Sequence, residues 1–193
     1  MAMSSPQADL VTEREYLELE RKSEFRSEYI AGRVFAMSGA SENHNVIAGN
    51  LNALVWAQLR GRPCRVYSSD MRVKVAPTGL YTYPDLVALC GERKLEDRNG
   101  DTLLNPSVII EVLSDSTEAY DRGVKFTHYR RLESLREYVL VAQNKIHVEH
   151  YRRDGENWIL SEISNPDDTL HLSSIDCRVP VSEIYEKVEF SAA

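Results

Sequence analysis

The chain has 193 residues, of which 42% are hydrophobic and 27% are charged, a balance typical of one soluble globular domain. Its net charge of -7 argues against a protein that holds nucleic acid by bulk charge, although clustered metal-binding carboxylates or a local basic patch are compatible with it. No apolar run approaches the ~20 residues that span a bilayer, and the N-terminus lacks an apolar signal segment. We therefore expect a cytoplasmic protein with no membrane partner.

The first part of the chain contains two helix start signals. We expect residues 1–11 to form a flexible start and residues 12–193 to form one domain. Thr12 and Glu15 fit a capping box that opens a helix to about residue 21. Ser41 is a good N-cap for a longer helix to about residue 60, in which apolar residues recur at helical spacing.

Strands and turns are predicted around these helices. Residues 28–37 read as a hairpin with its turn near Gly32. Further strand-like runs occupy residues 64–67, 71–75, 83–90, 108–113, 137–142, 146–151 and 158–163. Helices are predicted at residues 121–132 and 181–188, and a solvated loop at residues 91–101. The pattern indicates an α/β domain with a mixed sheet flanked by helices, with an extra N-terminal hairpin and C-terminal strands.

The three cysteines, Cys64, Cys90 and Cys177, are far apart and form no CxxC pair. We therefore expect neither a disulfide framework nor a cysteine-rich zinc site. All three are interpreted as small buried hydrophobic residues.

Two acidic residues interrupt apolar strands. Asp85 follows Pro84 inside one run, and Glu111 lies in the run Val-Ile-Ile-Glu-Val-Leu. A buried carboxylate is unfavourable unless it is paired or binds a metal, so we expect the two to converge. Two carboxylates together with water and phosphate oxygens suit Mg²⁺. Such a centre predicts phosphodiester hydrolysis.

Asp121 and Lys125 are four residues apart on a predicted helix and therefore share one face. A lysine near a metal can orient an attacking water and stabilise charge on the phosphate. The alternative is a simple surface ion pair within the helix, worth a few tenths of a kcal/mol.

Several motifs in a fixed order resemble the Uma2 family over roughly residues 12 to 187. They are Tyr83-Pro84-Asp85-Leu86-Val87, the run from Asn105 to Ser114, the pair Ser116-Thr117, the segment from Asp121 to Lys125, and Glu137-Tyr138-Val139-Leu140-Val141. The segment from Met37 to Ser41, followed by His44, fits as well. Uma2 proteins are similar to the PD-(D/E)xK nuclease superfamily and its restriction-endonuclease-like fold.

This resemblance implies a Mg²⁺- or Mn²⁺-dependent endonuclease that acts on nucleic acid, most naturally DNA. Asp85 and Glu111 match the metal-binding acids, and the carbonyl of Val112 is a candidate third ligand. The superfamily lysine stands two residues after the Glu, where this chain has Leu113. The lysine of Uma2-like sequences is expected on the following helix, which here is Lys125.

Four further residues are accessory candidates. Asp70 touches the site or caps a turn. Glu28 either adds a carboxylate to the site or is a solvated strand start. From the sequence we favour the solvated strand start. His44 contacts substrate or has a structural role in the first turn of its helix. Asp121 positions Lys125 or a metal-bound water, or serves as a helix-start acid.

Other patterns are set aside or left open. His147, Glu149 and His150 do not form HExxH, and strand alternation separates His150 from the other two, so we do not expect a zinc site. Basic residues fall into three groups, Arg21-Lys22-Arg26, Arg60-Arg62-Arg65 and Arg122-Lys125-Arg130-Arg131. The third group flanks the active-site helix and is a candidate phosphate contact.

Three functions remain open from the sequence. The first is the metal-dependent nuclease, and cutting two strands would favour a homodimer. The second is a catalytically inactive nuclease fold used for binding or scaffolding, which the net charge and the displaced lysine favour. The third is a hydrolase of a smaller phosphoester with the same metal centre.

Overall fold

The computed structural model describes residues 10–190. Most of the start expected to be flexible, residues 1–9, lies outside the described residues. Val11, at its end, is attached to the first hairpin. Its amide donates a hydrogen bond to the carbonyl of Gly32 (2.9 Å), and its carbonyl accepts one from the Tyr29 hydroxyl (2.9 Å).

The helix starts follow their capping signals. Helix α1 (Glu13–Glu20) has the capping box of Thr12 and Glu15, and α2 (Glu42–Leu59) is capped by the Ser41 side chain. The third helix, α3, differs from the continuous helix predicted at residues 121–132. It consists of Glu118–Tyr120, a π-helical turn at Asp121–Lys125, and Phe126–Tyr129. A short α4 spans Val181–Ile184.

The strands in chain order are β1 (Ser27–Ile30), β2 (Arg33–Ala36), β3 (Cys64–Ser68), β4 (Arg72–Val75), β5 (Leu80–Thr82), β6 (Leu86–Cys90), β7 (Thr102–Leu103), β8 (Val108–Leu113), β9 (Glu137–Ala142), β10 (Val148–Asp154), β11 (Asn157–Ile163), β12 (Thr169–Leu172) and β13 (Cys177–Pro180). The run at residues 83–90 is therefore not one strand. Its first part, including Asp85, connects β5 to β6.

The strands form two mixed sheets and a hairpin. The six-stranded sheet has the order β11-β10-β9-β8-β6-β3, with β8 and β9 parallel and the other pairs antiparallel. The five-stranded sheet has the order β2-β1-β5-β4-β7, with β4 and β7 parallel. The strands β12 and β13 pair with each other.

The six-stranded sheet separates two apolar clusters. On one face, α2 and the C-terminal hairpin pack against the alternate residues of β8 that include Ile110 and Val112. On the other face, Ile109 and Leu113 pack with Tyr129 and with residues of the five-stranded sheet. Since side chains alternate along a strand, Glu111 lies on this second face, between the two sheets.

The expectation for the cysteines was wrong for two of them. Cys64 and Cys90 are directly opposite on the antiparallel strands β3 and β6, with Cα atoms 3.9 Å apart, and they form a disulfide. Their separation of 26 residues in the chain concealed a pairing that the sheet register creates. Cys177 is free and buried, as expected.

Within residues 10–190, no helix combines the length and the apolar character needed to cross a bilayer.

Candidate active site

The register of two central strands brings Asp85 and Glu111 together. In the antiparallel pair β6–β8, Leu86 lies opposite Ile110 and Val87 opposite Ile109. One step further along this register, Asp85 lies opposite Glu111. The amide of Val112 donates a hydrogen bond of 2.7 Å to Oδ2 of Asp85, which fixes this carboxylate at the end of the sheet.

Glu111 is almost completely buried, with 3% of its surface exposed. Its Oε1 accepts a hydrogen bond from the Tyr129 hydroxyl (2.8 Å) and lies 3.0 Å from Nζ of Lys125. A buried carboxylate needs such partners because it has lost its hydration. Asp85 is more open, with 17% of its side chain exposed, so the pair forms a site with one accessible side.

Lys125 is the cation of this site. Its Nζ lies 3.0 Å from Glu111, 3.2 Å from Glu28 and 3.2 Å from Asp121, and the residue is only 6% exposed. The ion pair between Asp121 and Lys125 is therefore part of a buried network and is not a surface pair within a helix. The lysine reaches these acids from the π-helical turn of α3.

Glu28 enters the site from the other sheet. It lies on β1, is buried, and accepts a hydrogen bond from the Thr82 hydroxyl. The interpretation of Glu28 as a solvated strand start was wrong, because the pairing of β1 with β5 carries it over the six-stranded sheet. The β1–β5 pairing is non-local and leaves no signal near Glu28 in the sequence.

The remaining two candidates have different positions. His44 is in the first turn of α2, and its Nε2 lies 3.2 Å from Oδ2 of Asp85. Asp70 lies in the turn between β3 and β4, has a side chain 73% exposed and pairs with Arg26. Asp70 is therefore outside the carboxylate cluster.

The crowded carboxylates change the proton affinities of the site. Burial, with the negative charges of Asp121 and Asp85, raises the pKa of Glu111 to about 8 although Lys125 opposes the shift. Burial also raises the pKa of Asp121 against the opposing effect of Lys125. Burial alone would lower the pKa of Lys125, but the nearby acids, Glu111 first, raise it well above its usual range. The pKa of His44 is raised by Asp85 against the opposing effect of burial.

The ligand chemistry of these four acids suits a hard divalent cation. Asp85, Glu111, Glu28 and Asp121 offer carboxylate oxygens, the ligands that Mg²⁺ and Mn²⁺ prefer. Among the described residues, Oδ1 of Asp121 is buried without a hydrogen bond of good geometry, although Lys125 is within ion-pair distance. Burial is the main reason that the pKa of Glu111 is raised, and a bound cation would favour its ionised form.

Tyr129 and Thr82 belong to the site and were missed from sequence. The Tyr129 hydroxyl donates to Glu111 and lies 3.5 Å from the Thr82 hydroxyl. A signal for Tyr129 existed, since it continues the four-residue spacing of Asp121 and Lys125 along the same helix. Thr82 had no such signal because its strand was not predicted.

A second polar cluster lies at the start of β10 and on β11. One ligand atom from each of His147, Glu149 and Glu162 lies within 4.8 Å of the others. Arg122 contacts Glu149, which also accepts a hydrogen bond from the Tyr151 hydroxyl (3.1 Å). The charge of Glu149 is thus compensated by the protein, and the absence of a zinc site stays a prediction.

Comparisons with known proteins agree on the fold and the family. A solved structure from Anabaena variabilis, described as "a putative nuclease belonging to DUF820", superposes with a TM-score of 0.75 at 19% identity, covering 91% of this chain and 98% of that one. The Uma2 family model, described as "Putative restriction endonuclease", matches residues 14–180.

Two relatives from Synechocystis sp. are similar along most of their length. The uncharacterized protein sll1609 is 36% identical over 165 residues, which are 85% of this chain and 93% of that protein. The uncharacterized protein slr1290 is 34% identical over an alignment of 194 positions, which covers 98% of this chain and 100% of that protein.

The fold defined by these elements is the restriction-endonuclease-like mixed α/β fold, as predicted. The chain belongs to the Uma2 family, which confirms the resemblance seen in the sequence.

Proposed function

We propose that this protein is a Mg²⁺- or Mn²⁺-dependent nuclease that hydrolyses phosphodiester bonds in DNA. The observation that carries the proposal is the cluster of Glu111, Asp121 and Glu28 around Lys125, with Asp85 held close by through its hydrogen bond from the amide of Val112. The family description and the description of the Anabaena structure support the nuclease class.

Each residue has a role that its position supports. Asp85 and Glu111, with the carbonyl of Val112, would hold the cation, which when bound activates water and neutralises charge on the phosphate. Lys125 would orient the attacking water and stabilise the negative charge that develops on the phosphoryl oxygens. Tyr129 holds the carboxylate of Glu111 through its 2.8 Å hydrogen bond. His44 lies close enough to Asp85 to orient it from α2.

The test combines metal binding with cleavage. Titration calorimetry with Mg²⁺ and Mn²⁺ on the wild type, Asp85→Ala and Glu111→Ala is paired with plasmid nicking by the same proteins. We expect binding and nicking in the wild type and the loss of both in the two variants. Asp70→Asn is the matched control, because Asp70 is an exposed acid outside the cluster and its variant should retain both properties.

Folded wild-type protein that binds neither cation would overturn the metal-dependent proposal. Metal binding without cleavage of plasmid, single-stranded DNA or RNA, but with hydrolysis of a small phosphodiester, would replace the nuclease by a hydrolase of smaller esters. A homodimer remains a prediction for sedimentation analysis.

A further inference from the structure

One face of α2 lines an open groove that begins at the candidate active site. Two adjoining cavities, with volumes of about 570 Å³ and about 350 Å³, share Trp56 as a lining residue. The first ends at Asp85, and its wall on α2 consists of small or uncharged residues such as Gly49, Asn52 and Ala53. The 15 residues of α2 from position 45 to position 59 extend about 22 Å at 1.5 Å per residue.

The far end of the groove is basic. Arg60, Arg62 and Arg65 line the second cavity, and Asp85 is the sole carboxylate among the described residues lining either one. This local excess of positive charge contrasts with a chain that has 23 basic and 30 acidic residues. A basic track that leads to a cluster of metal-binding acids is complementary to a phosphodiester backbone.

An exposed aromatic side chain lies between the two ends. The indole of Trp56 is 53% exposed, and the guanidinium of Arg60 lies 5.8 Å from its ring centroid. Aromatic side chains in basic grooves stack on unpaired bases. Bases inside a duplex are already stacked on each other, so an indole in this position selects a strand that is locally single.

We infer that this groove binds a single-stranded stretch of nucleic acid and directs its backbone to Asp85, the exposed acid of the candidate site. The inference rests on the proposed nuclease function and narrows its substrates to single strands and to duplexes with a tail, flap or unwound segment. Trp56 stacks on a base, Arg60 and Arg65 contact phosphates, and the surface around Gly49 leaves room for the chain.

The first experiment measures binding without cleavage. The protein has two tryptophans, so Trp158→Phe leaves Trp56 as the only indole. In the presence of a chelator, this variant is titrated with a 12-nucleotide single strand, a blunt 12-base-pair duplex and the same duplex with a single-stranded tail. We expect the single strand and the tailed duplex to quench Trp56 fluorescence and the blunt duplex to leave it unchanged.

Matched variants test the groove with a labelled single strand. Trp56→Ala should weaken binding between about 5-fold and about 150-fold, whereas Phe35→Ala, which removes an equally exposed aromatic on β2, should not. Gly49→Leu should obstruct the groove and fold normally, because a Cβ there meets no atom within 4 Å and glycine is unfavourable inside a helix. Ala57→Leu, an exposed α2 position that lines neither cavity, is its control.

The salt dependence gives an independent readout. Replacing Arg60 and Arg65 with alanine should lower the slope of log affinity against log salt by about 0.7 for each lost phosphate contact. Affinity that is unchanged in Trp56→Ala and Gly49→Leu, or a blunt duplex that binds as tightly as the single strand, would overturn the inference.

The experiments distinguish a failure of the proposed nuclease function from a failure of the groove assignment. If the wild type nicks plasmid and Trp56→Ala binds single strands normally, the nuclease stands and the groove assignment is wrong. If the single strand quenches Trp56 and no nucleic acid is cleaved with Mg²⁺ or Mn²⁺, the groove assignment stands without the nuclease.

Discussion

Lys125 is the residue on which the charge balance of the candidate site depends. Its ammonium lies within 3.2 Å of three carboxylates, and both it and Glu111 are nearly inaccessible to water. A buried ion cluster contributes little net stability, but removing one partner leaves uncompensated charge in a low-dielectric environment. The consequence of losing the lysine is therefore larger than the stabilisation that it provides.

Lys125→Met should lower the free energy of unfolding by about 3–5 kcal/mol, because Glu28, Glu111 and Asp121 lose their shared cation. Chemical denaturation in a chelator measures this change, and Lys94→Met, at an exposed loop position, should have almost no effect. Mg²⁺ should stabilise Lys125→Met more than the wild type, because it replaces the missing charge. A variant as stable as the wild type in the chelator would contradict the described network.

Because the pKa of Glu111 is raised in the folded protein, the free energy of unfolding should fall as pH rises in the absence of metal. The unfolded chain releases this proton near pH 4.5 and the folded chain near pH 8, so the folded state binds more protons between these values. The raised pKa values of Asp121 and His44 act in the same direction. Unfolding titrations between pH 5 and pH 8 in a chelator should show this decrease.

Glu111→Gln should have a flatter pH profile than the wild type, because its side chain carries no titrating proton. His44 and Asp121 are retained in this variant and leave a residual slope. Identical profiles for the two proteins would show that Glu111 keeps an ordinary proton affinity in the fold.

At the scale of elements, the π-helical turn of α3 is the unusual local feature. It spans Asp121–Lys125, so both of its terminal residues belong to the carboxylate cluster. The hydroxyl of the buried Tyr138 donates a 3.0 Å hydrogen bond to the backbone carbonyl of Asp121. Such turns are rare in proteins overall, and those that occur are often at functional sites. Tyr138 fixes this one from β9.

Tyr138→Phe should lower the free energy of unfolding by about 1–3 kcal/mol, since the Asp121 carbonyl loses its partner. It should also reduce the nicking rate, because the turn that presents Lys125 is no longer fixed. Tyr185→Phe is the matched control, because the hydroxyl of the buried Tyr185 donates to the backbone carbonyl of His147, outside the carboxylate cluster. If both variants retain the full nicking rate, Tyr138 has a purely structural role.

The sequence predicted the long elements and the two central acids. Helix α2 and strand β8 have clear periodicity, and Glu111 was recognisable as one acid in an apolar run. The short strands β5, β7, β12 and β13 were missed because two to four residues carry too little periodicity. The α–π–α path of α3 was missed as well, since its sequence differs little from that of a regular helix.

At the scale of the whole molecule, the site is assembled from separate layers. Glu28 comes from the five-stranded sheet, Glu111 from the six-stranded sheet, Asp85 from the connection between β5 and β6, and Lys125 from α3. Local patterns identify such residues one at a time, but the packing of the layers decides which of them meet. For this reason the sequence interpretation of Glu28 as a solvated strand start was wrong. For the same reason Asp70, an accessory candidate from sequence, lies outside the cluster.

The disulfide ties one edge of the six-stranded sheet. Cys64 of β3 and Cys90 of β6 close a loop with a sequence separation of 26 residues, which includes β4, β5 and Asp85. Cross-linking a loop of this length stabilises a fold by about 3 kcal/mol, chiefly by restricting the unfolded chain. Reduction should therefore shift the denaturation midpoint downward without removing the native sheet, whose strands remain hydrogen-bonded.

Thiol titration decides this prediction. Unfolded protein without reductant should show one thiol, that of Cys177, and three after reduction. The double variant Cys64→Ser with Cys90→Ser should unfold at the midpoint of the reduced protein and be insensitive to reductant. Three thiols in the unreduced protein would contradict the disulfide. The stability of the β3–β6 edge, next to Asp85 and the groove on α2, would then depend on backbone pairing alone.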